Sequence, residues 1–405
     1  MKVRRYILTL ILCVLSLCTL KAEIGFRGAW IATVANIDWP SKEAVGNTEL
    51  QQQEMTQLLD SLESLGINAI IFQVRPTADA LYQSTLEPSS HWLTGRQGDS
   101  LSWDPLEWTL KQAHARHMEV HVWLNPYRVN LATTDTSVIA ANHVWRQHPE
   151  WFWEYNKQWY FDPGQAITRD WICTVVGDIV ARYDIQAIHM DDYFYPYPSG
   201  RLQLPDAETF AKYPRGFDDI RDWRRDNVNL TIQAISETIR ECRDSVEFGI
   251  SPFGVWRNAN VDSTGSATRA GITNYDDLYA DIRLWIKNGW IDYVLPQLYW
   301  EIGKKVADYE VLAHWWANEV RGTKCKLYIG MAPYRLEGAS PKSAWGQGNE
   351  IGRQMQLNRT IPEISGECFY STRPLLRNPR GVCDTIRLFY KDDDAQKAPD
   401  FLPWE

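Results

Sequence analysis

Ala187-Ile188-His189-Met190-Asp191-Asp192-Tyr193-Phe194-Tyr195-Pro196 sets two neighbouring carboxylates between a short apolar run and a cluster of aromatic rings. A brief apolar run closed by turn residues reads as a buried strand. Carboxylates at the C-terminal end of such a strand lie where β/α barrels keep their chemistry. The combination suits a sugar. Rings stack on the apolar face of a pyranose, while carboxyl groups move protons and stabilise a cationic transition state. A lone Asp here would be read as a helix cap or the partner of an arginine. Two in succession, with similar strand ends elsewhere, point to catalysis by Asp191 and Asp192. Neighbouring residues of a strand face opposite sides, so both reach a substrate only if the strand ends between them.

The other candidate strand ends carry groups of the same kind. Phe72-Gln73-Val74-Arg75-Pro76 ends in Arg75, whose planar donor fork suits a carboxylate or sugar hydroxyls. Trp123-Leu124-Asn125-Pro126-Tyr127-Arg128 offers Asn125, Tyr127 and Arg128, and Asn125 can both donate and accept. His189, Tyr193 and Tyr195 flank the acidic pair, and Trp256 follows Gly249-Ile250-Ser251-Pro252-Phe253. Pro296-Gln297-Leu298-Tyr299-Trp300-Glu301 adds Gln297, Tyr299 and Trp300 for binding, and Glu301 as a candidate acid. Singly these are weak signals; their recurrence at strand ends would converge them on one pocket. A glycosidase needs a carboxylic acid of raised pKa and a second carboxylate. His189 with the two aspartates is conceivable as a metal set, but no HxH or HExxH spacing supports one, so no metal or other cofactor is expected. Ser251 is not in a GxSxG turn, which argues against a serine nucleophile.

The elements that must position these residues alternate along the chain. Strands are expected at 26–34, 69–75, 119–125, 187–191, 247–253, 293–299, 326–332 and 367–371. Helices are expected at 49–65, 105–116, 168–183, 220–240, 275–288, 309–320 and 348–358, with Gly66 and Gly289 as helix stops. Strand–helix alternation implies parallel pairing with right-handed crossovers, and eight strands imply an α/β fold of one (β/α)8 TIM barrel. An open doubly wound sheet lacks its GxGxxG here. The segments 82–103, 129–165 and 199–219 are too long for simple connections and would decorate one rim as long βα loops. Their tryptophans, Trp92, Trp103, Trp145, Trp151, Trp153 and Trp159, fit either stacking platforms in a cleft or small cores beneath the loops. Lys391-Asp392-Asp393-Asp394 reads as a solvated end.

The 405 residues suffice for a single barrel domain, taken as 23–405. Lys2, Arg4 and Arg5 before the apolar stretch 6–17, with Thr19-Leu20-Lys21-Ala22, read as a signal peptide cleaved after Ala22. The apolar stretch is short for a membrane span, so no integral membrane segment is expected after cleavage. Cys18 lacks the small preceding residue of a lipidation site. The net charge is −9, and loss of the leader's four cations makes it more negative, which disfavours nucleic acid as a partner. Cys173, Cys242, Cys325, Cys368 and Cys383 are widely spaced, with no CxxC, leaving at most a bridge such as Cys368 to Cys383.

Several long motifs resemble one family, the glycosyl hydrolase-like family 10 proteins. They are Phe26-Arg27-Gly28-Ala29-Trp30, Asn36-Ile37-Asp38-Trp39-Pro40, Gln73-Val74-Arg75-Pro76, Trp123-Leu124-Asn125-Pro126-Tyr127-Arg128, Tyr160-Phe161-Asp162-Pro163-Gly164, His189 to Pro196, Gly249-Ile250-Ser251-Pro252-Phe253-Gly254 and Pro296-Gln297-Leu298-Tyr299-Trp300. The resemblance covers residues 26–334 in order. It implies a (β/α)8 barrel related to the α-galactosidase-like glycosidases, with the nucleophile an Asp at the end of the fourth strand and the acid after the sixth. Carried over, Asp191 or Asp192 is the nucleophile and Glu301 the nearest carboxylate for the acid. It also implies envelope enzymes that cut peptidoglycan glycan strands, particularly strands stripped of stem peptides. The expectation is an exported glycoside hydrolase of the periplasm or cell envelope acting on a polysaccharide, first of all peptidoglycan. The alternatives are a carbohydrate-binding barrel without catalysis, a scavenger of host or dietary glycans, and a metal-dependent hydrolase.

Overall fold

The computed structural model describes residues 24–131 and 133–397. The expected leader, with Cys13, Cys18 and the cleavage point after Ala22, lies outside the described residues. In chain order the strands are β1 Phe26–Ile31, β2 Ala69–Arg75, β3 Glu119–Leu124, β4 Phe152–Tyr155, β5 Gln158–Phe161, β6 Ala187–Met190, β7 Glu247–Ile250, β8 Tyr293–Val294, β9 Lys326–Met331 and β10 Ile364–Phe369. Eight of them close into a parallel barrel in the order β1-β10-β9-β8-β7-β6-β3-β2, and β4 and β5 form a separate antiparallel hairpin. The expected TIM barrel is what the chain forms.

Alternation along the strands divides the core in two. Phe26, Trp30, Ile71, Trp123, Tyr293, Tyr328 and Cys368 fill the barrel, while Ile31, Phe72, Val122, Ile188 and Ile250 pack outward. The outward face meets helices at Thr48–Glu63, Pro105–His114, Ala166–Arg182, Ile220–Arg243, Ile282–Asn288, Tyr309–Val320, Glu350–Asn358 and Val382–Lys397. Asn47, Asp104, Asp219 and Asp308 open four of these by accepting a hydrogen bond from a first-turn amide. Gly289 ends one in the left-handed conformation, at φ 64°, as its position suggests.

The structure departs from the expectations at several places. Residues 293–299 are not one strand: β8 stops at Val294, Pro296 has no N–H to give the ladder, and Gln297 resumes it by bridging Phe253 and Gly330. The helix expected over 275–288 is two, Asn274–Asp277 and Ile282–Asn288, because Tyr279 takes a positive φ and Asp281 caps a new start. The stretch read as a solvated end lies in the helix Val382–Lys397. That helix buries Val382, Cys383, Ile386 and Tyr390, while Arg27 and Arg359 pair with Asp394 and Asp393. Cys368 and Cys383 do not form a bridge. One lies inside the barrel and the other outside it, and all five described cysteines are free.

A hydrogen-bonded chain crosses the barrel interior. Trp30 Nε1 donates to His189 Nε2 (3.4 Å), and Ser251 Oγ lies 2.9 Å from the same nitrogen. An indole can only donate, so His189 accepts at Nε2 and carries its proton on Nδ1. That proton faces the Tyr293 hydroxyl at 2.8 Å, and Tyr293 in turn lies 2.8 Å from His121 Nδ1. Burial and the neighbouring His121 hold the His189 pKa well below the ordinary histidine value, so its ring is neutral. Gly249 makes room for this chain, since a Cβ there would stand 1.8 Å from the Tyr293 ring. Tyr293→Phe should cost about 1–3 kcal/mol for each imidazole Nδ1 left without a partner. Urea unfolding should show a lower midpoint with an unchanged slope.

Candidate active site

Strand β6 ends at Met190, one residue before the acidic pair, so Asp191 and Asp192 are released from strand alternation. Both line one cleft of about 330 Å³ at the C-terminal rim, together with Trp30, Trp123, Phe253, Gln297, Tyr299, Trp300 and Tyr370. Each is only 5% exposed. Among the described residues they are the only carboxylates in the cleft lining. Asp38 stands near the same rim but is committed to the Ala32 amide, the Ser371 hydroxyl and the Arg373 amide, tying the end of β1 to the end of β10. A larger cavity, about 920 Å³, lies among the loops after β2 and β3, but Asp99 is the one carboxylate among its described lining residues. The paired acids therefore make the smaller cleft the candidate active site.

Two buried carboxyl groups side by side cannot both ionise near neutrality. Burial, followed by the charge of Asp192, pushes Asp191 up to about 8, against the pull of Arg128 and the Tyr193 amide. Asp192 is also raised by burial, but the Tyr197 hydroxyl, Gln297 and Arg128 favour its charged form. The pair thus holds one proton, placed on Asp191, and one charge, placed on Asp192. These are the two states that acid-assisted glycoside cleavage requires.

Arg128, Gln73 and Arg335 complete the polar lining. The hairpin β4–β5 clamps the backbone around Arg128, with Phe161 N donating to Tyr127 O (2.8 Å) and Val129 N to Trp159 O (2.9 Å). The Arg128 guanidinium then rests over the Tyr193 ring at 4.9 Å, where its charge acts on both aspartates. Gln73, fully buried, accepts from the Thr33 and Val34 amides at Oε1, which orients its amide and leaves Nε2 without a partner in the cleft wall. Arg335 is exposed at the mouth and forms no ion pair among the described residues; its guanidinium lies 5.6 Å from the Tyr334 ring.

The sequence-predicted residues divide accordingly. Asp191, Asp192, Arg128, Tyr193, Gln297, Tyr299 and Trp300 come together in the cleft. Arg75 does not. A register shift between Gln73 and Arg75 turns it away, and it makes a buried two-pronged pair with Glu87 at 2.7 and 2.6 Å. Asn125 is buried against Pro76 O, Tyr127 against Thr231, and Tyr195 against Asn227; none of the three lines the cleft. His189 lies beneath the cleft in the interior chain, and Trp256 stacks on Trp315 behind it. Glu301 faces away: burial raises its pKa, but Lys304, its own backbone and Trp345 more than offset this, so it stays ionised and is unsuited to be an acid. The loop tryptophans mostly seal small cores, as in Trp145 against Trp159 and Trp103 between Trp39 and Trp108; Trp92 lines the larger cavity. Gln73, Tyr197 and Arg335 were not singled out. Two signals were available: the inward parity of Gln73 on β2, and the place of Arg335 just past the end of β9.

A family model described as glycosyl hydrolase-like 10 matches residues 25–345. The chain belongs to this family. It is 44% identical over 396 residues to "Glycosyl hydrolase YngK" of Bacillus subtilis (strain 168), covering 98% of this chain and 76% of that protein. It is 40% identical over 370 residues to "Glycosyl hydrolase DigH" of Escherichia coli (strain K12), covering 87% of this chain and 84% of that protein. Solved structures with the same fold include the catalytic domain of beta-amylase from Paenibacillus polymyxa (TM-score 0.56, 11% identity, 91% of this chain and 98% of that one). Another is the PgaB (BpsB) glycoside hydrolase domain from Bordetella bronchiseptica (TM-score 0.51, 10% identity, 91% and 98%). As a member of the glycosyl hydrolase-like 10 family the protein is a glycoside hydrolase. Among the described residues no cluster of three His, Cys, Asp or Glu is placed to hold a metal ion, and no helix is long and apolar enough to cross a membrane.

The shared proton sets the expected pH dependence. Asp191 must be protonated to act as the acid, so kcat/KM should fall as pH rises through about 8. Asp192 must be charged, so activity should also fall on the acid side, at a pH above the ordinary aspartate value. Tyr197→Phe removes a hydrogen bond to the charged form of Asp192. It should move the acid limb to higher pH and narrow the bell, as measured in kcat/KM against pH.

Proposed function

We propose that this glycoside hydrolase is exported and cleaves the glycan strands of peptidoglycan, preferring strands whose stem peptides have been removed. The observation that carries the reading is the cleft itself. A one-proton aspartate pair sits among aromatic rings, with an arginine at its mouth, Arg335, that forms no ion pair among the described residues. Removing a stem peptide frees the lactyl carboxylate on every second sugar of the strand. A free guanidinium beside the sugar subsite suits a recurring carboxylate of this kind. The expected leader at residues 1–22 supports export, and the protein's acidity is tolerable for an acidic glycan because the cleft wall itself carries Arg128 and Arg335.

The test is incubation of the purified protein with intact and peptide-stripped peptidoglycan, with released saccharides read by mass spectrometry. Cleavage of stripped strands is expected, and its absence alongside turnover of another polysaccharide would overturn the substrate. Asp191→Asn and Asp192→Asn should each lower kcat by ~10²–10⁴-fold with the unfolding midpoint preserved. Wild-type-like turnover in both would remove the pair from the mechanism. Arg335→Ala should raise KM for stripped strands ~10-fold, as expected for losing one charge-assisted contact, and leave kcat nearly unchanged.

A further inference from the structure

We infer that bond cleavage uses the substrate's own 2-acetamido group as nucleophile, with Asp191 protonating the glycosidic oxygen and Asp192 holding the acetamido N–H. The inference rests on the glycan reading above and names how the same site would act on it.

Mechanisms that use two protein carboxyl groups place them on opposite sides of the sugar. They stand ~5–5.5 Å apart when one is the nucleophile and ~6.5–9.5 Å apart when one activates water. Here the two acids leave the chain from consecutive Cα atoms, ~3.8 Å apart, on a single wall after β6. The walls contributed after β7, β8, β9 and β10 present Ser251, Phe253, Gln297, Tyr299, Arg335 and Tyr370, and none of these is a carboxylate. Glu301, the nearest acid past β8, is turned out to Lys304 and Trp345. No described carboxylate therefore faces the anomeric carbon from across the ring. An acetamido carbonyl on the neighbouring carbon supplies that nucleophile from within the substrate.

The pair's arrangement suits this division of labour. The leaving oxygen and the acetamido nitrogen sit on adjacent ring carbons, and adjacent side chains from one wall can reach both. Asp192 accepts from Tyr197, which keeps it charged and able to take the N–H proton. Asp191 accepts the Tyr193 amide on Oδ1, at 3.2 Å, and burial outweighs this and the Trp123 indole to leave it protonated. Trp30, Ile37 and Trp123 give an apolar floor for the acetamido methyl.

The steps balance. The carbonyl oxygen attacks C1, the C1–O glycosidic bond breaks, the Asp191 proton goes to the leaving oxygen, and the N–H proton passes to Asp192. The product is a neutral oxazoline. Water then adds to C1 and gives its proton to Asp191. The C1–oxazoline bond breaks, and Asp192 returns its proton to nitrogen. The net change is hydrolysis with retained configuration.

The experiment compares peptide-stripped glycan strands in three forms: native N-acetyl, N-trifluoroacetyl and free amine. N-acetylglucosamine-thiazoline, which mimics the oxazoline, is added to the native reaction. Fluorination weakens the carbonyl nucleophile, so kcat should fall by ~1,000-fold or more, since a well-placed internal nucleophile carries a large effective molarity. The free amine should not turn over, the thiazoline should compete, and the product should emerge with retained configuration by NMR. Native strands cleaved, with the trifluoroacetyl form within a few-fold, no thiazoline inhibition or an inverted product, would overturn the inference and leave the glycan reading intact. Native strands left uncut would overturn both.

Discussion

Two carboxyl groups buried against one wall cannot both carry charge, and much of this molecule serves to decide which one does. Strand β6 stops at Met190, so Asp191 and Asp192 enter the same cleft instead of opposite faces of the sheet. Tyr197 and Gln297 favour charge on Asp192, and burial leaves the proton on Asp191. Arg128 moderates both from its place over Tyr193, and the β4–β5 hairpin clamps the backbone that holds it there. A single cation bonded directly to either carboxylate would quench the proton that glycoside cleavage needs; Arg128 instead donates to Pro76 O and acts through space.

The barrel beneath the pair carries a chain of hydrogen-bonded polar side chains. Trp30 and Ser251 both belong to the cleft lining, and both are bonded to His189. His189 is in turn held by Tyr293, and Tyr293 by His121, so the orientation of the cleft floor is set from deep within the barrel. A neutral imidazole is required for this, because a charged ring could not accept from the Trp30 indole. The fold thus uses strand interiors, usually filled by branched aliphatics, to fix the rotamers of groups that line the cleft.

What escaped a reading of the sequence did so for identifiable reasons. Arg75 shares the inward parity of Gln73, and only the register shift between them sends it to Glu87 and leaves Gln73 in the cleft. Trp256, Tyr127 and Tyr195 follow strand ends as cleft residues should, but the chain has already turned outward by then, and each is absorbed by packing between strands and helices. Glu301 stands one residue after Trp300, and the turn there aims it at Lys304 and Trp345. The closing helix Val382–Lys397 was obscured because its charged side, Lys391 to Asp394, dominates the local composition. Its apolar stripe is visible only when read at helical spacing.

Alternation of short apolar runs with amphipathic segments was sufficient by itself to specify a closed barrel, because each strand buries both faces and each helix buries one. Paired aspartates at a strand end among aromatics were likewise sufficient to indicate glycoside chemistry. The sequence could not say which side of the barrel wall each polar residue would occupy. That depends on where a strand stops, where a bulge shifts register and which partner a loop brings within reach, and these are settled by contacts between residues far apart in the chain. Tyr197 on Asp192, the hairpin under Arg128 and Arg335 at the mouth are all of this kind. They exist only once the barrel has closed and set its rim loops against one another.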